Sequence, residues 1–403
     1  MKRSSRSAPG CDGYLAHRRR EQRPLTQLSI THLNKWYVPH VGGVERALHW
    51  IARACVRRGD HVRAVVCAPG PVPRRWSVDG VDVRGVPTFG VLQSVPIAPT
   101  YPFALPPRNG SVWHLHEPFP LGTAGLLLRA IATHDHPLPA VVSWHSEVVR
   151  QRLARPVHLA LAREILERVA IIHVATQAHL ESSAVLPAYR SKIRVVPYIV
   201  DVERFRRVPD HPIARRIREW SVGDPVALFV GRLVYYKGVD VLLAALARVP
   251  RLRLVLVGDG PLRGALRAQA EQLGLSQRLL WLGMPDDDRL VGAYSGCDFF
   301  ILPSTGRAEA FGLVQVEAMA AGLPVISTRL GTGAATVNID GATGILVTPG
   351  DDVVLSEALR SLAEALDMRA RFAVNAVERA ADFAEGRLAE RYRDLYREAE
   401  AAA

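Results

Sequence analysis

Short apolar runs alternate with longer amphipathic segments along most of this chain, and the alternation occurs twice. The first series extends from residue 28 to residue 197, where strand-like runs are separated by segments with helical periodicity. A break rich in charge and proline occupies residues 198–224, and a second series begins at residue 226. Because this alternation is typical of parallel sheets covered on both faces, the sequence predicts an α/β fold with two doubly wound domains in tandem.

The chain divides into five predicted parts. Its 403 residues, 48% of them hydrophobic, are enough for two ordinary domains with separate cores. We expect a basic, disordered arm at 1–26, a first domain at 27–197, a linker at 198–225, a second domain at 226–380, and a final helix at 381–403 that crosses back to the first domain.

The charge of the chain limits its partners. Formal net charge is +12, and almost all of the excess is arginine, because the only lysines are Lys2, Lys35, Lys192 and Lys237. A general preference for arginine over lysine explains this positive charge as well as binding to an anionic partner would. We therefore predict no nucleic-acid partner. An anionic lipid or a phosphorylated substrate stays open. The scarcity of lysine makes Lys237 a position of interest.

Any membrane contact is predicted to be peripheral. No run approaches the roughly 20 apolar residues that cross a bilayer. The arm at 1–26 is rich in arginine but lacks the apolar block of a signal peptide, so it is either solvated or attracted to an acidic membrane surface. The four cysteines show no CxxC pair and no metal-ligand spacing, which favours a reducing compartment, and we expect the cytoplasm.

Residues 307–325 form the most informative stretch. They are predicted to be a turn, a helix and the entry to a strand, with Glu309 before the expected helix start at Gly312 and Glu317 farther along the same side. The N–H groups of residues 310–313 would lie at a positive helix end, which suits a phosphate. A carboxylate past that end suits ribose hydroxyls, and one before it suits a group beyond the phosphates. The alternative is a capping role for Glu309 and a solvated Glu317.

The second domain offers cations at a strand end. Gly231 and Arg232 end its first predicted strand, and Lys237 stands at the next helix start. A guanidinium and an ammonium placed there can neutralise a diphosphate from two sides, and surface ion pairing is the alternative for each. Met284 follows the third strand as an apolar wall for a base. The acidic run at 286–288 lies where helix caps are favoured, so we predict no metal site.

The first domain places polar residues after its strands. Gly42 and Gly43 occupy a turn between a strand and a helix, which suits either close approach to a ligand or a tight packing turn. His114, His116 and Glu117 stand at the carboxyl end of a strand, and His145 and Glu147 stand at another. Open α/β sheets bind ligands at such ends, although a histidine there can equally be structural.

Several motifs, in this order, resemble glycosyltransferase family 4, whose members are retaining enzymes with the GT-B architecture: GGVE, HEP, VVPYIVDVERF, VGRLVYYKG, VGDGPL, EAFGLVQVE and GLPV. The resemblance covers about residues 28–383. It implies two Rossmann-like domains that face each other across a cleft. The segments WHSEVVRQ, LESSAVL and LGTGAATVNIDG further resemble bacterial members that extend cell-surface polysaccharides, often mannosyltransferases.

The resemblance also implies roles for single residues. Glu309 would contact the donor sugar, His116 would lie beside the anomeric carbon, and Glu317 would bind the ribose. The remaining donor site would consist of Gly42, Gly43, Arg232, Lys237, Met284, Phe311, Gly312, Leu313 and Val314. His145 and Glu147 would belong to the acceptor or sugar side.

The implied reaction moves a hexose from a GDP- or UDP-linked sugar to a hydroxyl of a glycan or lipid-linked acceptor, without a metal or other cofactor. We expect it in the cytoplasm, with peripheral contact on the inner face of the cell membrane as an option. Three alternatives stay open: a nucleotide-sugar epimerase of the same architecture, a storage-glucan synthase or phosphorylase, and a non-catalytic subunit that binds nucleotide sugars.

The sequence departs from the family pattern at three places. Tyr198 and Ile199 stand where an Asn-Gly pair is usual, which predicts a stiffer hinge. Ala310 replaces a frequent glycine, a small change that should preserve the turn. Residues 331–333 are Gly-Thr-Gly, and Val337 follows where many members have an acidic residue, which leaves the acceptor side open.

Overall fold

The computed structural model describes residues 27–40, 42–92, 95–107, 110–146 and 155–402. The predicted arm at 1–26 and the candidate residue Glu147 lie outside these ranges. Within them the chain forms two large sheets and one small hairpin.

The first sheet has eight strands in the order β10-β9-β8-β7-β1-β2-β4-β3, and only β3 runs antiparallel. In chain order the strands are β1 (Ser29–Leu33), β2 (His61–Cys67), β3 (Arg74–Val78), β4 (Val81–Val86), β7 (Ser111–Glu117), β8 (Leu138–Trp144), β9 (Val169–Val174) and β10 (Ile193–Val195), while β5 (Val91–Leu92) and β6 (Val95–Pro96) pair separately. Every residue of β8 is buried, as expected for a parallel strand covered on both faces.

Three of these strands were absent from the sequence prediction. β3 lies at the sheet edge and has a mostly exposed face, and β5 and β6 contain two residues each. Such strands bury too little apolar surface to produce a periodic signal. The helices that cover the sheet are α1 (Gly43–Val56), α2 (Pro120–Thr133), α3 (Arg155–Arg168) and α4 (Gln177–Ser182).

The second sheet is parallel throughout, in the order β13-β12-β11-β14-β15-β16. Its strands are β11 (Val226–Val230), β12 (Arg253–Val257), β13 (Leu279–Gly283), β14 (Phe299–Leu302), β15 (Val325–Thr328) and β16 (Gly344–Val347). The strand order reverses direction between β11 and β14, and in the first sheet it does so between β1 and β7. Carboxyl ends at such switch points form the crevices in which open α/β sheets bind ligands.

The remaining helices lie between or after the strands of the second sheet, except the first of them, which precedes β11. They are α5 (Pro212–Ser221), α6 (Val239–Ala247), α7 (Arg263–Gln272), α8 (Asp287–Gly296), α9 (Leu313–Ala320), α10 (Ala334–Val337), α11 (Asp352–Glu364), α12 (Leu366–Ala380) and α13 (Glu385–Ala401). The acidic run at 286–288 begins α8, where an Asp286 carboxylate oxygen accepts from the Arg289 N–H at 2.8 Å. The structure therefore gives Asp286 a capping role.

Helix α13 packs on the first domain, as predicted. Its Arg393 donates to both carboxylate oxygens of Asp60 at 2.9 and 3.0 Å, and both side chains are fully buried. Its Tyr396 hydroxyl lies 2.9 Å from Nδ1 of His114 on β7. With the two doubly wound sheets, this returning helix confirms the predicted GT-B architecture. The exact domain boundaries stay predictions.

One apolar core joins the two halves. It extends from Ile30 and Val112 under the first sheet through Tyr198 to Phe311 and Phe300 of the second. Val200 adds a backbone bond to Phe383 at 2.9 Å. In the part of the chain that the structure describes, no helix combines the length and apolar character needed to span a bilayer.

Candidate active site

The centre of the site is a buried ion pair between Lys237 and Glu309. The Lys237 ammonium lies 2.5 Å from a Glu309 carboxylate oxygen, which also accepts from the Ser304 hydroxyl at 2.9 Å. Both charged side chains are less than a tenth exposed. Burial opposes the charged ammonium, but the attraction of Glu309 and Tyr236 raises the pKa of Lys237 above its ordinary value. Glu309 therefore does not cap the helix through its side chain.

Glycine allows this pair to form. Gly238 follows Lys237 with φ +65°, and a Cβ there would lie 2.1 Å from the Pro303 carbonyl oxygen. No other residue fits a backbone in the left-handed region pressed against another backbone. The Thr305 N–H also bonds to the Tyr236 carbonyl at 2.8 Å. The segments that follow β11 and β14 are therefore in direct contact. This contact places Lys237 beside Glu309.

The start of α9 lies next to this pair. Gly312 precedes the helix with φ +74°, and no side chain caps the helix there. Leu313 and Val314 open the helix and are partly exposed. Phe311 is buried and anchors the turn against the rings of Tyr198 and Phe383, with centroids 5.0 and 5.8 Å away. The turn therefore leaves its N–H groups without a side-chain cap, as a phosphate site requires.

Glu317 lies in α9 and has no exposed surface. One of its carboxylate oxygens accepts from Arg46 of the first domain at 2.8 Å, and the other accepts from the Tyr294 hydroxyl at 2.8 Å. Arg46 also reaches Asp287 at 3.1 Å. The attraction of Glu317 raises the pKa of Arg46. The alternative of a solvated Glu317 is wrong, because this carboxylate joins the two domains.

Arg232 and Met284 are placed at the same edge but are less constrained. Arg232 directly follows Gly231, where an added Cβ would lie 3.6 Å from the Lys237 ammonium. Within the described ranges its guanidinium has no recorded ion pair or hydrogen bond. Met284 follows β13 and is 56% exposed. The structure thus places Lys237 beside Glu309, leaves Arg232 exposed at the end of the same strand, and leaves Met284 at the rim.

Gly42 and Gly43 differ in what they require. Gly42 precedes α1 in extended backbone, and an added Cβ would lie 2.1 Å from a carboxylate oxygen of Glu45. Gly43 has open space around the same position. Burial raises the pKa of Glu45, whose side chain returns to the helix start. The Glu45 carboxylate therefore occupies the space beside Gly42.

A chain of buried histidines begins at the end of β1. Nδ1 of His32 lies 3.0 Å from Nε2 of His116, and Nδ1 of His116 lies 2.8 Å from Nε2 of His145. Nδ1 of His145 lies 2.7 Å from the Tyr198 hydroxyl. Both ring nitrogens of His116 are therefore in use. Nε2 of His32 is buried without a partner among the described residues.

A second network fixes its own hydrogen-bond directions. Nε2 of His173 must donate to the Val196 carbonyl at 2.7 Å, so in a neutral ring Nδ1 accepts from the Ser143 hydroxyl at 2.6 Å. That hydroxyl then accepts from Nε2 of His114 at 2.6 Å, and Nδ1 of His114 accepts from the Tyr396 hydroxyl. One carbonyl thus orders a chain that ends on helix α13.

Burial keeps all of these imidazoles neutral. It lowers the pKa of His32 to about 3 and that of His173 to about 4. It also holds the pKa values of His114, His116 and His145 well below the ordinary range, with neighbouring histidines adding to the effect. A neutral ring donates at one nitrogen and accepts at the other, which suits a hydrogen-bonded chain.

Three of these rings come close enough to be considered as metal ligands. Ligand nitrogens of His32, His114 and His116 lie within 4.8 Å of one another, and this is the one such group among the described residues. However, both nitrogens of His114 already have hydroxyl partners. The rings of His114 and His116 stack at 4.2 Å, so their nitrogens do not converge on a common tetrahedral centre. The geometry favours the hydrogen-bonded array.

Glu117 has a structural role beside this array. Its carboxylate accepts from the Phe119 N–H at 2.7 Å and from the Thr123 hydroxyl, so it stabilises the start of α2. His158 of α3 lies 3.7 Å away and is buried.

Comparisons with known proteins decide the family. Residues 42–198 match the glycosyl transferase 4-like domain, and residues 210–379 match the glycosyl transferases of group 1. The O-antigen chain mannosyltransferase C of Escherichia coli is 30% identical over 346 residues, covering 83% of this chain and 88% of that protein. The chain belongs to the group 1 glycosyltransferases, of the family 4 type. The predicted glycosyl transfer is thereby confirmed.

Other relatives agree with this assignment. The D-rhamnosyltransferase WbpZ of Pseudomonas aeruginosa is 36% identical to this glycosyltransferase over 228 residues, which is 56% of this chain and 58% of that protein. Two solved structures share its fold. The sucrose-phosphate synthase of Thermosynechococcus elongatus has a TM-score of 0.78 at 24% identity and covers 94% of this chain and 100% of its own. Anabaena HepE in complex with UDP and glucose has a TM-score of 0.72 at 22% identity, covering 91% and 99%.

The sequence interpretation missed several residues of the glycosyltransferase site. Arg46, Tyr294 and Ser304 contact the two glutamates, but none of them lies inside a motif used for the prediction. The hydroxyl of Tyr198 and the ring of His32 belong to the histidine chain. Arg46 had one available signal, because it directly follows the GGVE motif on the helix face that the glycines introduce.

Proposed function

We propose that this glycosyltransferase moves a hexose from a nucleoside diphosphate sugar to a hydroxyl of a cell-envelope glycan or lipid-linked glycan, with retention at the anomeric carbon. The observation that carries the proposal is the buried pair of Lys237 and Glu309, which lies between the strand end that carries Arg232 and the turn that begins α9 in the sequence. Two cations and a helix end around one carboxylate suit a ligand with a diphosphate next to a polyhydroxylated ring.

Stabilisation of the leaving group would make the largest contribution to lowering the activation barrier. As the bond between the anomeric carbon and the phosphate oxygen breaks, negative charge grows on the diphosphate. Arg232, Lys237 and the N–H groups at the start of α9 would meet this charge in positions fixed before the reaction. We expect them to do so without a metal ion.

The chemical step balances without a protein nucleophile. The acceptor oxygen forms a bond to the anomeric carbon on the face that the diphosphate leaves. The acceptor proton passes to the departing phosphate oxygen, and the nucleoside diphosphate is released. In this scheme Glu309 accepts hydrogen bonds from sugar hydroxyls and orients the ring. Exclusion of water from the closed cleft prevents hydrolysis of the donor.

His116 would hold a sugar hydroxyl as a neutral ring. Both of its nitrogens are engaged by His32 and His145 in this structure. A sugar contact through nitrogen therefore requires one of these partners to be exchanged. His145 would then act by orienting His116, while an acceptor role for His145 or Glu147 stays a prediction.

Ribose binding would use Glu317. Its two oxygens contact Arg46 and Tyr294 in this structure. Arg46 must shift for ribose hydroxyls to reach the carboxylate, so donor binding and this interdomain ion pair would compete. Met284, at the rim, would contact the base.

The relatives guide the choice of donor and acceptor. One is an O-antigen chain mannosyltransferase and one is a D-rhamnosyltransferase, so a mannose-type sugar and an envelope polysaccharide are the first candidates for this enzyme. A GDP-linked donor ranks beside a UDP-linked donor. We place the reaction in the cytoplasm, at the inner face of the cell membrane.

A donor panel tests the proposal. GDP-, UDP- and ADP-sugars are compared for protection against thermal unfolding, since a ligand at 100 times its dissociation constant adds about 2.7 kcal/mol to stability. The protecting donor is then offered with acceptors, with and without a chelator, and the product linkage is assigned by NMR. Absence of protection by every donor, or an inverted product, would contradict the proposal. Conversion of the donor without an acceptor would favour an epimerase.

A further inference from the structure

Exposed apolar side chains concentrate on one part of the first domain. Six large residues there are between 46 and 76% exposed, and we call them the apolar surface: Val72, Phe89, Val91, Leu92, Ile97 and Phe103. Isolated exposed apolar residues are common on proteins, whereas a contiguous group marks a contact site.

Backbone bonds hold the apolar surface together. The Phe89 N–H bonds to the Ile97 carbonyl at 2.9 Å, and β5 pairs with β6 beyond it. The Thr88 N–H bonds to the Gly70 carbonyl at 2.9 Å, which attaches this hairpin to the segment that carries Val72. Five of the six side chains therefore belong to one folded unit at the carboxyl ends of β2 and β4, and Phe103 lies beside Pro73 and Pro87 in a neighbouring depression.

A depression connects the apolar surface to the end of β1. It has a volume of about 520 Å³, and Trp36, Pro69, Pro71, Phe89 and Val91 line it. Trp36 follows Asn34, whose side-chain amide donates to the Trp36 carbonyl at 2.9 Å. The carboxyl end of β1 borders the cleft between the domains. The apolar surface therefore lies at the same edge of the first sheet as the side of the cleft expected to receive the acceptor.

The charge nearest the apolar surface is mainly positive. No charged residue occurs between Arg84 and Arg108 in the sequence. Arg74, Arg75 and Arg84 are exposed beside it, and a second depression of about 260 Å³ places Arg84 with Phe103.

The acidic residues closest in sequence have other contacts. Asp79 bonds to His49 at 3.1 Å and Asp82 to Arg63 at 3.2 Å. An uncharged apolar surface bordered by guanidinium groups complements an anionic bilayer, in which apolar side chains enter the acyl boundary and arginines remain at the phosphates.

We propose that the apolar surface docks this protein on an anionic membrane, with Phe89, Leu92 and Phe103 entering the bilayer and Arg74, Arg75 and Arg84 at its headgroups. The proposal rests on the proposed action at the membrane and adds the surface and orientation. Docking there brings the acceptor side of the cleft next to the lipid. A lipid-linked acceptor could then enter without leaving the bilayer.

The test is flotation of the full chain with vesicles of phosphatidylcholine, alone or mixed with phosphatidylglycerol. The wild type should float with the mixed vesicles. Phe89→Ser combined with Leu92→Ser should weaken partition by at least about tenfold, and Phe103→Ser and Arg74→Gln with Arg75→Gln should each weaken it several-fold. Leu366→Ser with Val374→Ser is the matched control, because these two residues are about equally exposed on α12 of the second domain.

Two further measurements keep the outcomes separate. Each variant is checked by thermal unfolding, and Phe103→Ser, at the most exposed site, is read alone if the double variant does not fold. Activity on a water-soluble acceptor should be unchanged in these variants. If the wild type floats but transfers no sugar, the proposed function fails and the docking surface stands.

Three results would overturn the docking surface. One is equal flotation of the control and the Phe89 and Leu92 variant. Another is loss of flotation only when Arg18, Arg19 and Arg20 of the first 26 residues are changed to Gln. The third is a concentration-dependent dimer, measured by sedimentation, that the apolar variants abolish, since the surface would then join two copies of the chain.

Discussion

The two sides of the cleft hold their polar groups in opposite ways. On the second domain, Glu309 and Glu317 are buried as charges, and each touches a cation at 2.8 Å or less. On the first domain, the strand ends carry a chain of buried imidazoles that burial keeps neutral. From this difference we infer that the cations of the second-domain side can exchange their carboxylate partners for an anionic ligand. The other side orients hydrogen bonds without adding charge.

The largest effect is expected at Lys237. Lys237→Met should lower turnover by at least about 100-fold, because a fixed cation that meets the developing diphosphate charge is lost. It should also lower the free energy of unfolding by about 3 to 5 kcal/mol, because Glu309 stays buried without its partner. Steady-state kinetics and urea unfolding measure the two effects.

Arg232→Met is the matched variant for Lys237. Its guanidinium has no recorded ion pair within the described ranges, so turnover should fall similarly while stability changes by less than about 1 kcal/mol. Turnover within about threefold of the parent in both variants would remove the diphosphate role from this side of the cleft.

The second prediction concerns acid. A histidine in the unfolded chain has a pKa of about 6.5, so below that pH the unfolded chain binds protons that the buried rings refuse. The free energy of unfolding should therefore be greatest above about pH 6.5 and decrease as the pH falls. His173, with its pKa lowered to about 4, alone accounts for about 3 kcal/mol by pH 4. Urea unfolding at a series of pH values measures the slope.

A variant assigns this acid slope to the histidine chain. His32→Phe should reduce the slope by about 1.4 kcal/mol per pH unit, whatever its effect on stability at neutral pH. His61→Gln, at an exposed position, is the control. An unchanged slope in His32→Phe would show that these rings are already charged in the folded protein.

The third prediction concerns the ion pair between Arg46 and Glu317. Arg46→Met should lower stability by about 1 to 3 kcal/mol and should tighten nucleotide binding, because Glu317 is released for the ribose. Arg204→Met is the control, since Arg204 pairs with the same Asp287 at 2.8 Å without touching Glu317. Calorimetric titration with GDP and UDP measures the nucleotide affinity of each variant. Weaker nucleotide binding in Arg46→Met alone would indicate that Arg46 contacts the nucleotide directly.

The smallest effect is expected where the two sides meet. Tyr198→Phe keeps the ring contact with Phe311 and removes the hydroxyl bound to His145, so stability should fall by about 1 kcal/mol. Its pH profile of turnover should also change if His145 orients His116. Tyr189→Phe, whose hydroxyl makes only a 3.5 Å contact at the surface, is the control. Identical pH profiles of turnover in both variants would show that the Tyr198 hydroxyl does not influence the reaction.

The sequence predicted the local geometry around Glu309 and Glu317 better than that of the histidine chain, for a physical reason. Lys237, Gly312, Glu309 and Glu317 lie within short segments whose spacing encodes turns and helix starts, so local rules apply. The partners of these residues come from distant segments, as Arg46 and Tyr294 show. The histidines lie on different strands, and their order in space depends on strand pairing, such as His32 opposite His114.

Local patterns also explain what was predicted of the fold. Long buried strands and amphipathic helices gave periodic signals, and they revealed both sheets and the helix α13. Edge strand β3 gave none, because most of its side chains are exposed, and β5 and β6 gave none, because each contains only two residues. Tyr198, noted only as a departure from a flexible Asn-Gly hinge, proved to connect His145 with Phe311.

Helix α13 also constrains how the protein is made. His114 and Asp60 are synthesised early, yet their buried partners Tyr396 and Arg393 lie 282 and 333 residues later in the chain. The first domain therefore leaves the ribosome with these two buried groups unpaired. They gain their partners only after helix α13 has been synthesised. A premature stop codon that removes this helix would expose the earlier half to chaperones and proteases, although every strand of both sheets would be present.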